Sequence, residues 1–281
     1  MKIGIIGAGL IGQILAKKFS ACGHQLKLAD RKGKVAIQAV ADPAGAEAVE
    51  VGEVVQDIDV LIVSIPLVNI PDLVETLKGK IASSTIIVET TNYWPHRDGN
   101  IEAIDKGMVN SVWVQQQFGR PVIKAFSNIA AYSMATEGKA SGTAGRIALA
   151  VSGDVQQAVD VVRGLVDEAG FDALDAGQLE DSWRQQACGP AYCTDLTLTE
   201  LIDARKKAKK EELREKQERA FGKMKELDDS YFNNVVLGNY PDGFVDHAVD
   251  INRAINQLPP RKNNNKIYSI IEEKSHLNIK K

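Results

Sequence analysis

The chain has 281 residues, 44% of them hydrophobic and 25% charged, with a formal net charge of −3. That profile fits a globular protein with one large core or two modest ones and excludes the fibrous and disordered classes. The charge balance gives no global pull towards nucleic acid or an acidic membrane, and Cys22, Cys188 and Cys193 have the spacing of neither a disulfide framework nor a zinc site, so no metal is expected.

The first predicted element is a strand over residues 2–6. It is too short to span a bilayer and lacks a basic flank and a cleavage site, so a cytoplasmic protein without membrane contact is expected. It runs directly into Gly7, Ala8, Gly9, Leu10, Ile11, Gly12 and a helix-like stretch. In such a turn Gly7 makes the tight bend, Gly9 lets the backbone approach a pyrophosphate, and Gly12 lets helix and strand pack closely. The unpaired N–H groups at the helix start, with the positive dipole end, favour an anion. Asp30 follows about twenty residues on, the spacing this fingerprint expects. At the end of a second predicted strand, over residues 25–29, its carboxylate can accept both ribose hydroxyls of NAD and repel the 2′-phosphate of NADP. Arg31 and Lys32 come next, and their cationic heads would clamp that phosphate. Both cofactors therefore stay open.

Further strands are predicted over residues 48–51, 60–65, 85–89, 121–125, 146–151 and 171–175, alternating with helical segments. The fold class is α/β, a Rossmann-type doubly wound parallel sheet over residues 1–178. Runs such as VLIVSI and TIIVE are almost continuously apolar, so helices should cover both faces. Ligands in such sheets bind beyond the carboxyl ends of the strands. That picks out Ser64, Ile65 and Pro66, then Thr90, Thr91 and Asn92, then Phe126, Ser127 and Asn128 as one rim. The loop after Asn92 holds His96, a candidate proton donor or an ordinary hydrogen-bonding histidine. Tyr93 and Trp94 would stack on a flat substrate or pack the loop, and Arg97 would attract an acidic substrate tail or form a surface ion pair.

Residues 179–281 read as a cap and a charged helical extension with a flexible tail. Residues 182–195 form a connection or a small cap over the sheet. Residues 198–227 form one exposed helix, supported by pairs such as Glu212 with Lys216 and Glu215 with Arg219. Its apolar stripe is narrow: Leu213, Gln217, Ala220, Met224 and Leu227. That stripe would dock on the body or on a second subunit, which makes a homodimer the oligomeric expectation. The tail from Pro259 onward is expected to be partly disordered.

Together these segments resemble the F420-dependent NADP reductase family, whose relatives include the cytoplasmic reductase domain of the STEAP metalloreductases. The resemblance covers residues 1–195 and is carried by GAGLIG, the ADRK turn, VSIP, TTNYWPHRDG, VIKAFSNI and FDALDAGQLEDSW. It implies that Gly9 to Gly12 hold the pyrophosphate, Asp30 to Lys32 the adenosine ribose, and Ile65 and Pro66 the nicotinamide side. Asn128 and Ala131 would line the place where two redox rings stack. The implied activity is hydride transfer between NADP or NAD and a small-molecule redox substrate, with coenzyme F420 as a candidate co-substrate. Two features depart from the family: its archaeal members resemble SRR where this chain has Asp30, Arg31 and Lys32, and its compact members end near the equivalent of Leu196. A hydroxyacid dehydrogenase, a semialdehyde dehydrogenase using Cys193 or Cys188, and a non-catalytic dinucleotide-binding redox sensor are the rival readings.

Overall fold

The computed structural model describes residues 1–227 and 244–261. Six strands form one parallel sheet: β1 (Lys2–Ile6), β2 (Gln25–Ala29), β3 (Glu47–Ala48), β4 (Val60–Val63), β5 (Ile86–Glu89) and β6 (Val122–Lys124). Their spatial order is β3-β2-β1-β4-β5-β6, with all neighbours parallel. The order reverses between β1 and β4, and a doubly wound sheet opens its ligand crevice at such a point.

Period-2 alternation in β4 sends its apolar side chains to both faces. Val60 and Ile62 join Leu15 and Phe19 of α1 (Leu10–Ala21) and Val162 and Leu165 of α8 (Gln156–Glu168). Leu61 and Val63 join Leu73 and Leu77 of α3 (Ile70–Leu77) and Val114 of α6 (Asn110–Phe118). The remaining helices of this half are α2 (Lys34–Ala41), the short α4 (Pro95–Asp98) and α5 (Glu102–Asp105), and α7 (Ala131–Thr136).

Three expectations are corrected. The strand expected over residues 48–51 is the two-residue β3, because Glu50 turns the chain: its N–H donates to Glu53 Oε2 at 3.1 Å and its carbonyl accepts from Glu53 N at 2.9 Å. The last two strands, β7 (Ala148–Val151) and β8 (Asp172–Asp175), leave the main sheet and pair in parallel with each other. Lys124 of β6 bridges in antiparallel sense to Ser152, just after β7, so β7 runs against β6 and does not extend the parallel order. The single helix expected over 198–227 is two, α9 (Leu198–Lys207) and α10 (Leu213–Leu227). The extended backbone of Ala208 and Lys209 separates them.

That break follows from what each half buries. The Arg205 guanidinium donates to Gln185 Oε1 at 2.6 Å and Ala176 O at 2.7 Å, which fixes α9 against β7 and β8. Leu213, Gln217 and Ala220 are buried elsewhere, and Ala220 packs with Ile251 and Ile255 of α11 (Phe244–Ile255) and with Ala187 and Cys188. The expected pair of Lys216 with Glu212 forms at 3.0 Å. The Leu227 side chain lies outside the described residues, as does the expected tail beyond residue 261, whereas Pro259 and Arg261 are tied to Arg253 and Asp195. No helix among the described residues is long and apolar enough to cross a membrane.

Candidate functional site

The turn after β1 is built by three steric requirements. Gly7 has φ 107° and donates its N–H to Ala29 O at 2.8 Å, and a Cβ there would meet Ser64 O. A Cβ on Gly12 would lie 1.9 Å from Gly7 O, so this position closes α1 onto the turn. Gly9 differs: a Cβ there would meet nothing within 4 Å, because the residue faces open space. Gly9 caps α1 without a side-chain hydrogen bond, and the first turn has no acidic residue, so its N–H groups and dipole are free for an anion.

Two clefts meet at this turn. The first, of about 630 Å³, runs from Gly7 and Gly9 past Asp30, Arg31 and Lys32 to α3. The second, of about 680 Å³, runs from Gly9, Leu10 and Ile11 past Thr90, Thr91 and Asn92 to Ser127, Ala131 and Tyr132. Ser64, Ile65 and Pro66 line both, so the two are halves of one groove across the β1–β4 reversal.

Asp30 is held inward. Ala8 N–H donates to its Oδ2 at 3.0 Å and Lys32 N–H to its Oδ1 at 3.1 Å, so both carboxylate oxygens already serve backbone donors. The side chains of Arg31 and Lys32 are exposed on the same cleft and have no hydrogen bond or ion pair among the described residues.

At the other end, Asn92 Nδ2 donates to Ser127 O at 2.8 Å, while Asn92 Oδ1 and Ser127 Oγ are buried with no hydrogen-bond partner among the described residues. Beneath them lies a fully buried ion pair. Lys124 Nζ sits 3.1 Å from Glu89 Oε1 and donates to Thr91 O at 2.7 Å. Glu89 also accepts from Ser111 Oγ and from the N–H and hydroxyl of Thr91. This network fixes the backbone of Thr90 to Asn92 at the carboxyl end of β5.

Most of the expected residues come together here, and three are placed differently. His96 is not on the cleft wall: its ring stacks on Phe221 of α10 at 3.6 Å between centroids, and its Nε2 lies 3.3 Å from Glu218 Oε2. That placement gives no support to a proton-donor role. Asn128, expected beside the redox rings, is also off the wall, since Nδ2 donates to Ala191 O and Oδ1 accepts from Ala150 N. Its neighbour Ser127 lines the cleft in its place. Tyr93 turns into the body, its hydroxyl bonded to Gly99 O and Asp105 Oδ1, each at 3.0 Å. Arg97 lines the cleft but is held by both oxygens of Asp98, at 3.0 and 2.8 Å, and by Asn92 O at 2.6 Å.

Residues that sequence reasoning missed come from three separate elements: Tyr132 of α7, Met224 of α10, and Ala248 and Asn252 of α11. Tyr192, from the connecting segment, joins them. No local motif marks any of these. Cys193 lines the cleft and Cys188 belongs to the buried cluster on which Trp94, Tyr192 and Met224 pack, but burial pushes both thiols well above the ordinary cysteine value. Neither is an activated nucleophile, which counts against a thioester mechanism.

The family model for coenzyme F420-dependent NADP oxidoreductases matches residues 2–93. The protein YjhV of Escherichia coli is 37% identical over 115 residues, covering 41% of this chain and 75% of that protein. A solved structure of SMa0349 from Sinorhizobium meliloti is 28% identical, covers 69% of this chain and 93% of that one, and superposes with a TM-score of 0.61. A structure from Arthrobacter sp. FB24, proposed there to be an F420-dependent NADP-reductase, is 19% identical, covers 64% of this chain and 86% of that one, and has a TM-score of 0.54; it shows the same fold.

Proposed function

Given that the chain belongs to the coenzyme F420-dependent NADP oxidoreductase family and is a nicotinamide-dependent oxidoreductase, we propose that the groove binds NADP(H) along its length and a small unsaturated acceptor at its far end. The observation that carries this reading is the pair of polar atoms without partners among the described residues, Asn92 Oδ1 and Ser127 Oγ, at one end of a groove whose other end presents Arg31 and Lys32, likewise without partners among the described residues.

The residues fit the dinucleotide part by part. The open space at Gly9 and the uncapped start of α1 suit the pyrophosphate. Arg31 and Lys32 would hold the 2′-phosphate, since the Asp30 carboxylate is engaged by Ala8 and Lys32 N–H and orders the turn. Ile65 and Pro66 would support the nicotinamide, Asn92 Oδ1 would accept from its carboxamide and Ser127 Oγ would donate to it. When bound, the nicotinamide supplies the hydride. The chain's task is then to align the partners and exclude water, which needs no acid–base dyad. Thr90 and Ala131 complete the wall around the transfer point.

Calorimetric titration with NADPH and NADH tests the cofactor assignment. NADPH should bind more tightly, and Arg31→Ala with Lys32→Ala should erase that preference while leaving NADH binding unchanged. A preference for NADH in the parent protein would overturn the assignment to Arg31 and Lys32. Coenzyme F420 is the first acceptor to assay, by its absorbance change with NADPH. A cytoplasmic homodimer completes the proposal, and light scattering tests the dimer. The stripe that suggested it is largely used within the chain, because Leu213, Gln217 and Ala220 are buried.

A further inference from the structure

The far wall of the second cleft comes from outside the sheet: Met224 of α10 and Asn252 of α11, with Trp94, Tyr132 and Tyr192. Among the described residues lining this cleft, Arg97 alone carries a charge, and Asp98 neutralises it through two contacts. Tyr192 and Cys193 stay uncharged, because burial pushes the phenol and the thiol up. An ionised group entering here would leave water without meeting a free opposite charge, which is strongly unfavourable.

Asn252 adds one specific polar feature. It is 2% exposed, and its Nδ2 donates to Ala248 O at 2.8 Å. Its Oδ1 has no hydrogen-bond partner among the described residues. A buried carboxamide oxygen without a donor is costly, and a ligand N–H or O–H would satisfy it.

We infer that this wall selects the acceptor, admitting an uncharged, flat, largely apolar group that donates one hydrogen bond to Asn252, with any charged substituent left outside the cleft. The inference rests on the second cleft being the substrate end of the groove.

The test is calorimetry on the full chain saturated with NADPH, using three probes of matched size: para-hydroxyacetophenone, its methyl ether, and para-acetylbenzoate. The hydroxyl compound should bind about tenfold more tightly than the ether, the factor expected of one net hydrogen bond. The carboxylate should not bind. In Asn252→Leu the hydroxyl compound and the ether should become equal, with a thermal melt confirming the fold. The series on the parent protein stands alone if that variant does not fold. Carboxylate binding as tight as that of the neutral probes, no binding of any probe while NADPH binds, or a hydroxyl preference that survives Asn252→Leu would overturn the inference. Failure of NADPH itself to bind would overturn the cofactor reading instead.

Discussion

Two glycines of the same turn respond to an added methyl group for different reasons. Gly12→Ala places a Cβ against Gly7 O and forces the turn or α1 to shift, so it should lower stability by about 1–3 kcal/mol, read from denaturant unfolding. Gly9→Ala meets no protein atom and should leave the melting temperature unchanged, yet it fills the space proposed for the pyrophosphate and should weaken NADPH binding in a titration. The buried pair gives a third prediction. Lys124→Met alone leaves Glu89 charged at full burial and should cost about 3–5 kcal/mol. Adding Glu89→Leu should recover only part of that, because Ser111 and Thr91 then lose their shared acceptor. A double-mutant cycle by urea unfolding measures both. At this scale the motif residues were legible because a glycine fingerprint acts through local backbone geometry. The places of His96 and Asn128 were not, because Phe221, Ala191 and Ala150 are far from them in sequence.

Helix α9 starts with a capping box in which Thr197 and Glu200 exchange hydrogen bonds. The Thr197 backbone N–H, and then its hydroxyl, hold the Glu200 carboxyl below its ordinary value. A depressed folded-state value stabilises the protein above the unfolded carboxyl's pKa, and that contribution fades as pH falls through the folded one. Glu200→Gln should therefore cost up to about 1 kcal/mol at neutral pH and less in acid, measured as the difference in melting temperature between parent and variant at each pH. The helical character of residues 198–227 was legible from charge spacing and the narrow apolar stripe. Its break at Ala208 was not, since it exists to let Arg205 reach Gln185 while Leu213 and Ala220 are buried elsewhere. The same limit applies to β7 and β8, which pair with each other instead of extending the main sheet, a choice between segments far apart in the chain.

For the molecule as a whole, the helices α10 and α11 close a groove whose floor the sheet already provides. Ala220→Asp would put a charge into the buried cluster with Ile251 and Ile255 and should loosen that closure. Limited proteolysis should then release the C-terminal helices while the dinucleotide-binding half persists, with NADPH affinity unchanged and acceptor binding lost. By itself the sequence determined the parallel sheet, the glycine turn, the charged residues after β2 and the rim of Ser64 to Pro66 and Thr90 to Asn92. Each is written in contiguous residues whose backbone conformation or hydrophobic period is local. Only the tertiary structure decided that His96 and Asn128 leave the wall and that Met224 and Asn252 enter the cleft. Those outcomes depend on which distant elements meet after the core has formed, and no local spacing encodes them.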